Sequence, residues 1–450
     1  MLRHWRTLRT GEAGRTPYNG RLLEDAGAGR IQAVNSTYQS LMNQAACRVS
    51  GKPLAKVVDF GRQPLGNGFL LPEQFSQEFF YPMAIGFCET GCMVQLIEQP
   101  SPQRMFHEQY AFYSSTSQYM ERHFREFAQQ VMRAGRLAGD DPFVVELGCN
   151  DGIMLKNFAK AGIRHLGIEP SANVAAAANA QGVRTLSAFF SHEVALDIVR
   201  KEGKADAFLA ANVMCHVPGI LGIVKGIREL LKPTGVAIFE DPYVGDVIEK
   251  TSYDQIYDEH VFLFSALAVQ YLFRLQGMEL VDVQPQSTHG GSMRYFLAHA
   301  GAYPVRDSVF RLLEREKALG LDRLSTFETF RKQVERSRTG LVGLLRDIKS
   351  QGKRIVGYGA TSKSTTILNY CGIGPDLIEY ISDTTPIKQG KYSPGMHIPI
   401  RPYEDFKASP PDYAVLFAWN HAEEIMAKEK SFMAQGGRWI VHVPKVQVLG

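Results

Sequence analysis

The chain has 450 residues, too many for one ordinary hydrophobic core, so two or three domains are expected. Its 45% hydrophobic and 10% aromatic content is that of a soluble globular protein, and no apolar run approaches the roughly 18–20 residues needed to span a bilayer. The formal charge of +4 is small for this length, and Lys and Arg are scattered among Asp and Glu, which leaves nucleic-acid binding without compositional support.

The six cysteines do not form a secreted disulfide framework, and the reducing cytoplasm is the expected compartment. Residues 1–43 are basic, with Arg3, His4, Arg6, Arg9 and Arg15, and lack the apolar core of a signal peptide. They read as a disordered tail, or as the product of an upstream start with Met42 the true beginning. Residues 44–104 read as a small strand-rich domain. One strand ends in Val57-Val58-Asp59-Phe60-Gly61, Cys88 and Cys92 flank a tight turn carrying Gly91, and Met93-Val94-Gln95-Leu96 follows as another strand. Residues 118–137 have helical spacing, with Met120, Phe124, Phe127, Val131 and Met132 along one side.

From residue 142 the pattern alternates. Strands are expected at 143–147, 165–168, 207–211, 236–239, 279–283 and 294–298, with helices such as 172–181 and 220–231 between most of them. Such alternation implies a mostly parallel sheet covered on both faces. Residues 105–300 make one domain on this reading, and 301–350 a charged helical connector. Residues 351–450 make a smaller α/β domain, with a β/α unit beginning at 354 and further strands at 377–381, 413–417 and 439–442.

The most informative segment is Glu146-Leu147-Gly148-Cys149-Asn150-Asp151-Gly152, which follows a buried strand. Gly148 permits a tight turn and Gly152 lets the next helix start close to a ligand. Such a crevice is where open α/β sheets bind ligands, and the spacing is not the Gly-x-Gly-x-x-Gly of a pyrophosphate cradle. An acid about 20 residues on, Glu169 followed by Pro170, suits ribose hydroxyls. The strand-end segment Asn212-Val213-Met214-Cys215-His216 would meet the adenine and methionine parts of S-adenosylmethionine, with Phe190 also assigned to the cofactor. The expected fold is therefore α/β. A central Rossmann-like class I methyltransferase domain is flanked by the small N-terminal domain and a C-terminal Rossmann-like α/β domain. In that last domain Gly357-Tyr358-Gly359-Ala360-Thr361-Ser362-Lys363 reads as an anion-binding turn at a helix start, without the Gly-Lys-Ser/Thr of a Walker motif. Asp383 and Trp419-Asn420-His421 follow later strands at the same sheet edge.

From Cys47 to the C-terminus the chain resembles the nucleotide-sugar C-methyltransferases, and among them the C-3′-methyltransferases of branched deoxysugar biosynthesis. The resemblance rests on Phe60-Gly61-Arg62-Gln63-Pro64-Leu65, Met105-Phe106-His107-Glu108, the Glu146–Gly152 turn and Phe239-Glu240-Asp241-Pro242-Tyr243. It rests also on Tyr257-Asp258-Glu259-His260, His289-Gly290-Gly291, the Gly357–Lys363 turn and Phe417-Ala418-Trp419-Asn420-His421. It implies S-adenosylmethionine as cofactor and a nucleotide-linked keto-deoxysugar, dTDP-linked, as substrate, held partly by Tyr358, Gly359, Lys363, Asp383, Trp419, Asn420 and His421. His289, Gly290 and Gly291 join that substrate set.

Methylating a carbon beside a ketone needs a base to remove a proton and a group to stabilise the enolate. The family resemblance makes His260 the base, with Tyr257 and Glu259 orienting substrate or stabilising the enolate and His216 holding cofactor or substrate. Tyr110 is the residue expected to close over the sugar. The family often has Tyr-Pro-Tyr-His where this chain has Tyr110-Ala111-Phe112-Tyr113, which leaves open which tyrosine acts. The bland reading of Tyr257–His260 is a solvated helix start, and that of His107 is a structural histidine.

The resemblance also implies zinc on two Cys-x-x-Cys pairs. Here Ser50 stands where the second cysteine should be, and Cys88 and Cys92 are separated by three residues, leaving Cys47, Cys88 and Cys92 as candidate ligands. Two other functions remain open from sequence: methylation of oxygen or nitrogen on another acceptor, or a degenerate transferase acting as a binding module. The oligomeric state is not legible, and a monomer is compatible with the sequence.

Overall fold

The computed structural model describes residues 45–105, 118–137 and 139–450. Tyr110, His107 and the tail 1–43 lie outside the described residues. The strands are β1 (Ala55–Pro64), β2 (Phe80–Cys88), β3 (Met93–Leu96), β4 (Phe143–Leu147), β5 (Arg164–Ile168) and β6 (Thr185–Leu186). They continue with β7 (Ala205–Ala211), β8 (Leu231–Pro242), β9 (Phe262–Leu263), β10 (Met278–Gln286) and β11 (Ser292–His299). The last six are β12 (Ile355–Tyr358), β13 (Ile381–Ser382), β14 (Ile400–Arg401), β15 (Tyr413–Leu416), β16 (Arg438–Val441) and β17 (Gln447–Leu449).

The seven-stranded central sheet runs β10-β11-β8-β7-β4-β5-β6. All its pairings are parallel except the two made by β11. This is the class I methyltransferase arrangement. Its central strands are largely apolar because helices cover both faces: every residue of β4 is buried, as are Val236, Ala237, Ile238 and Phe239 of β8. Strand order reverses beside β4, with β5 and β6 on one side and β7 and β8 on the other. The carboxyl ends of β4 and β7 therefore diverge into a crevice, the usual ligand position in such sheets.

The C-terminal six-stranded sheet runs β14-β13-β12-β15-β16-β17 and repeats the device, with its own reversal beside β12. The small sheet, β1-β2-β3-β9, is antiparallel. Its fourth strand comes from the middle of the chain: Phe262 and Leu263 pair with Gln95 and Val94 directly after the Tyr257–His260 segment. That segment is consequently clamped against the N-terminal sheet.

The 301–350 stretch is helical as expected, over Asp307–Leu319 and Leu324–Ser350. The second helix does more than connect. Phe327, Phe330, Val334, Leu341, Leu345 and Ile348 recur at helical spacing. They share one buried cluster with Val57, Phe60 and Phe87 of the small sheet, Ile355 and Ile381 of the C-terminal sheet, and Ile367 of the helix Ser362–Cys371. Apolar burial thus ties the N- and C-terminal parts together through this helix. No helix among the described residues is long and apolar enough to cross a membrane.

Candidate active site

One cavity of about 360 Å³ gathers residues from the central sheet and from segments adjoining strands of the other two sheets. Gly148, Asn150, Glu169, Pro170, Phe190, Asn212 and His216 line it, as do Tyr257, Glu259 and His289. Each of these was expected from sequence to belong to the site. Lined also by Asn67, Glu240, Thr361, Ser362 and Lys388, it receives residues the sequence reading did not assign.

The floor is the turn after β4. Gly148 adopts φ +65°, and a Cβ there would overlap the Val213 side chain. Left-handed backbone costs an ordinary residue about 1–2 kcal/mol before any clash. Gly148→Ala should therefore weaken S-adenosylmethionine binding by roughly tenfold or more in isothermal titration. Unchanged affinity would show that the turn does not shape the cofactor crevice. Glu169 ends β5 with both carboxylate oxygens engaged: Ser171 N–H donates to Oε1 at 2.9 Å and Asn150 N–H to Oε2 at 3.2 Å. It is thereby fixed at the cavity wall, where it fits a ribose diol. Phe190, Phe189, Pro170, Ile223 and Val217 supply apolar lining suited to an adenine ring. The residues present thus fit S-adenosylmethionine.

Glu146, Asp151 and Gly152 do not line this cavity. Glu146 is buried, and burial, reinforced by Glu169, raises its carboxyl well above the usual range. It lies behind the turn rather than at the ligand surface.

The reactive wall is the Tyr257–His260 segment. His260 is fully enclosed. Its Nδ1 lies 2.7 Å from the Gln255 carbonyl oxygen and its Nε2 lies 2.8 Å from the Tyr257 hydroxyl. A carbonyl only accepts, so Nδ1 carries the proton and Nε2 accepts from Tyr257. Burial, with His216 next in importance, holds this imidazole well below its ordinary pKa, so it is neutral. The His216 and His260 rings stack with centroids 5.3 Å apart. Tyr257 lines the cavity and His260 stands one hydrogen bond behind it.

Glu259 is also at the wall, with Asn67 donating to its Oε1 at 3.0 Å. Burial first, and then the Asp258 charge, push the Glu259 carboxyl up to about 8. Asp258 accepts from Gly66 N–H at 3.0 Å, and Thr365 donates to the Gly66 carbonyl at 2.9 Å. The loop after β1 therefore holds both acids. Asn67 carried no motif of its own, and only its place just beyond the Phe60–Leu65 segment hinted at it.

Glu240, at the end of β8, is bound by Arg294 Nη2 at 2.8 Å, His123 Nε2 at 2.9 Å and Thr288 Oγ1 at 2.8 Å. Burial alone would raise it, but His123 and Arg294 bring it down to about 2. This anion anchors the His289 loop. Gly290 has φ +86° and packs so closely under Trp419 that a Cβ would collide with the indole. Trp419 donates to Asp254 at 2.6 Å, while Lys363 Nζ lies 3.4 Å from the His289 carbonyl and 5.5 Å from the Trp419 ring centroid. Trp419 and Lys363 thus fasten the C-terminal domain to Asp254 and to the His289 loop.

The remaining expected substrate residues do not line the cavity. Tyr358 points into the C-terminal core, where its hydroxyl donates to Glu429 at 2.9 Å and its ring packs edge-on against Trp439. Asp383 accepts from Ala360 N–H and Thr385 N–H, both at 2.7 Å, joining the turns after β12 and β13. Gly359 and Gly291 shape backbone at φ +90° and +139°. His421 meets Tyr119 edge-on, and Asn420 is half-buried beside it. The aromatic and acidic residues after these strands satisfy packing and turn hydrogen bonds, and the cavity-facing polar groups from this domain are Thr361, Ser362 and Lys388.

In the N-terminal domain Ser50 Oγ lies 3.4 Å from Cys88 Sγ, and Ser50 N–H points to Cys47 Sγ at 3.5 Å. Cys92 does not join them: among the described residues the Cys47, Cys88 and Cys92 sulfurs do not converge into one group with mutual distances within 4.8 Å. With a hydroxyl at one position and Cys92 apart, these residues do not fit a closed four-thiolate zinc shell.

Residues 287–444 match the model of the C-methyltransferase C-terminal domain, 119–283 a methyltransferase domain, and 47–106 a model described as "Putative zinc binding domain". C-methyltransferase NovU of Streptomyces niveus is 35% identical over 407 residues, which is 90% of this chain and 96% of that relative. The chain belongs to this C-methyltransferase family. It is an S-adenosylmethionine-dependent C-methyltransferase. A ubiquinone biosynthesis O-methyltransferase of Rhodopseudomonas palustris (strain TIE-1) is 27% identical over 95 residues, 21% of this C-methyltransferase and 38% of that enzyme. Magnesium protoporphyrin IX methyltransferase of Synechocystis PCC 6803, solved with bound SAM, is 13% identical over 40% of this chain and 79% of its own, at a TM-score of 0.31.

Proposed function

We propose that this enzyme methylates a nucleotide-activated 4-keto-deoxysugar, dTDP-linked, at the carbon next to the ketone, C-3′, through an enolate. The observation that carries this reading is the composition of the cavity described above. The cofactor turn, a tyrosine hydroxyl backed by a buried imidazole, a carboxyl raised to about 8 and the polar start of a C-terminal helix all open into it.

S-adenosylmethionine, when bound, supplies an electrophilic methyl carbon. The protein has to make a carbon nucleophile opposite it. Tyr257 Oη takes the C–H proton while its own proton passes to His260 Nε2. The low basicity of the buried imidazole is offset because the imidazolium forms beside the enolate anion, in a site from which water is excluded. Glu259, protonated at neutral pH, donates to the ketone oxygen as negative charge develops there. Asn67 keeps its carboxyl aimed into the cavity.

The nucleotide end of the substrate fits the part of the wall formed by the C-terminal domain, beside the loop after β1. The helix Ser362–Cys371 begins with a capping box in which Thr361 Oγ1 accepts from Ser364 N–H at 3.1 Å. Its first N–H groups, with Lys363 and Lys388 nearby, suit a diphosphate. His289, which lines the cavity, holds the sugar, and Gly290 and Gly291 shape the loop that presents it.

The test is a methyl-transfer assay on a dTDP-4-keto-6-deoxyhexose deuterated at the carbon beside the ketone. The expected product gains one methyl group at that carbon and loses the deuterium, read by mass spectrometry and NMR. Full retention of the label, or a methyl group on oxygen, would overturn the enolate route.

A further inference from the structure

Cys215 takes no part in the chemistry above, yet it sits beside the base. It follows β7 in the short turn Met214–His216, and its main-chain N–H donates to Asp241 Oδ2 at 3.0 Å. Ligand atoms of Cys215, His216 and His260 all lie within 4.8 Å of one another. Cys215 and His260 are buried, whereas His216 is partly exposed and lines the cavity, which provides an entry path.

We propose that Cys215, His216 and His260 form an inhibitory binding site for a thiophilic divalent cation, zinc above all. One thiolate and two imidazoles with a fourth position open to a cavity is a donor set that zinc and cobalt accept and that magnesium and calcium do not. The Gln255 carbonyl already holds Nδ1–H of His260, the second-shell bond that presents Nε2 to a metal. On binding, the Cys215 S–H bond breaks, its proton leaves to solvent, and a sulfur–metal bond forms with no change of oxidation state. His260 Nε2 gives its lone pair to the ion, so Tyr257 loses the acceptor for its proton. The site itself stands on the geometry alone; its inhibitory effect rests on the proposed role of His260.

The N-terminal thiols are a second place where a thiophilic ion can go, so the test removes one of them. Full-length protein carrying Cys88→Ser is compared, metal-free, with the Cys88→Ser/Cys215→Ala and Cys88→Ser/Cys215→Ser doubles. Circular dichroism and S-adenosylmethionine titration establish that each is folded. Cobalt added to Cys88→Ser should produce a thiolate-to-cobalt charge-transfer band that both doubles lack. Zinc should inhibit methyl transfer in Cys88→Ser, reversibly on chelation. Second-shell losses alone cost metal sites about 10–100-fold in affinity, so loss of the thiolate should raise the zinc needed for half-inhibition by at least about tenfold. An undiminished band in the doubles overturns the site. A band lost with Cys215 but unaccompanied by zinc inhibition upholds the site, and overturns its inhibitory role together with His260 as the acceptor of the Tyr257 proton.

Discussion

Tyr257→Phe should lower kcat by about 10²–10⁴-fold, the range that positioned acid–base groups contribute, with S-adenosylmethionine affinity unchanged in titration. The reason is the order of the groups. Tyr257 faces the cavity, its hydroxyl is 2.8 Å from His260 Nε2, and His260 is held from behind by Gln255. His260→Asn should fall by a similar factor. Because the two act as one relay, the double variant should be no slower than the worse single variant. Three rate constants therefore decide between two arrangements. If His260 met the substrate directly, Tyr257→Phe would free its Nε2 lone pair and cost little. A Tyr257→Phe enzyme within about threefold of the parent would remove Tyr257 from the relay, since the expected acid–base loss is far larger.

The parallel strands were legible because burial on both faces writes itself as continuous apolar runs: β4 is Phe143–Leu147 in both readings. Strands set by partners far away were not. Phe262–Leu263 carries only two residues and owes its existence to pairing with β3; β6 and β14 are equally short, and the strand expected at 377–381 is reduced to Ile381–Ser382. Strand β2 was missed although it is nine residues long, because Pro82 and Gly86 interrupt a run that is buried nearly throughout and so lacks alternation. The same logic divides the site. Gly148, Glu169 and Asn212 announce themselves because a turn, an acid and a strand end recur at a spacing that local structure fixes. Asn67 and Lys388 reach the cavity through tertiary packing, across 192 positions in the case of the Asn67–Glu259 bond, and no local pattern encodes that. Tyr358 was drawn into the substrate set by its glycine neighbours, but an aromatic ring between strand and helix is more cheaply buried against Trp439 and Phe406.

Above about pH 8 kcat should fall, approaching tenfold per pH unit, as Glu259 loses the proton it donates to the ketone oxygen. Burial raises this carboxyl and the Asp258 charge raises it further, while the Asn67 hydrogen bond opposes them; Asp258 itself is pushed up to about 6, by burial first. Lys363 also titrates at about 8, lowered by burial against the pull of Asp254. Its loss of charge should raise KM for the nucleotide sugar, whereas Glu259 acts on the developing enolate and so on kcat. Glu259→Gln separates the two, since the amide still donates and cannot ionise. The variant should keep substantial activity at pH 7 and lose the alkaline fall in kcat, leaving only the rise in KM. Stability provides a second readout. A carboxyl whose folded pKa is raised binds its proton more tightly in the native state, so its contribution is complete below the unfolded carboxylate pKa of about 4.3 and is lost as pH rises towards 8. Glu259→Gln removes that loss, and its Tm should exceed the parent's at pH 8 but not at pH 4. An alkaline fall in kcat that persists unchanged in Glu259→Gln would take the proton donor away from Glu259, whatever the melting curves show.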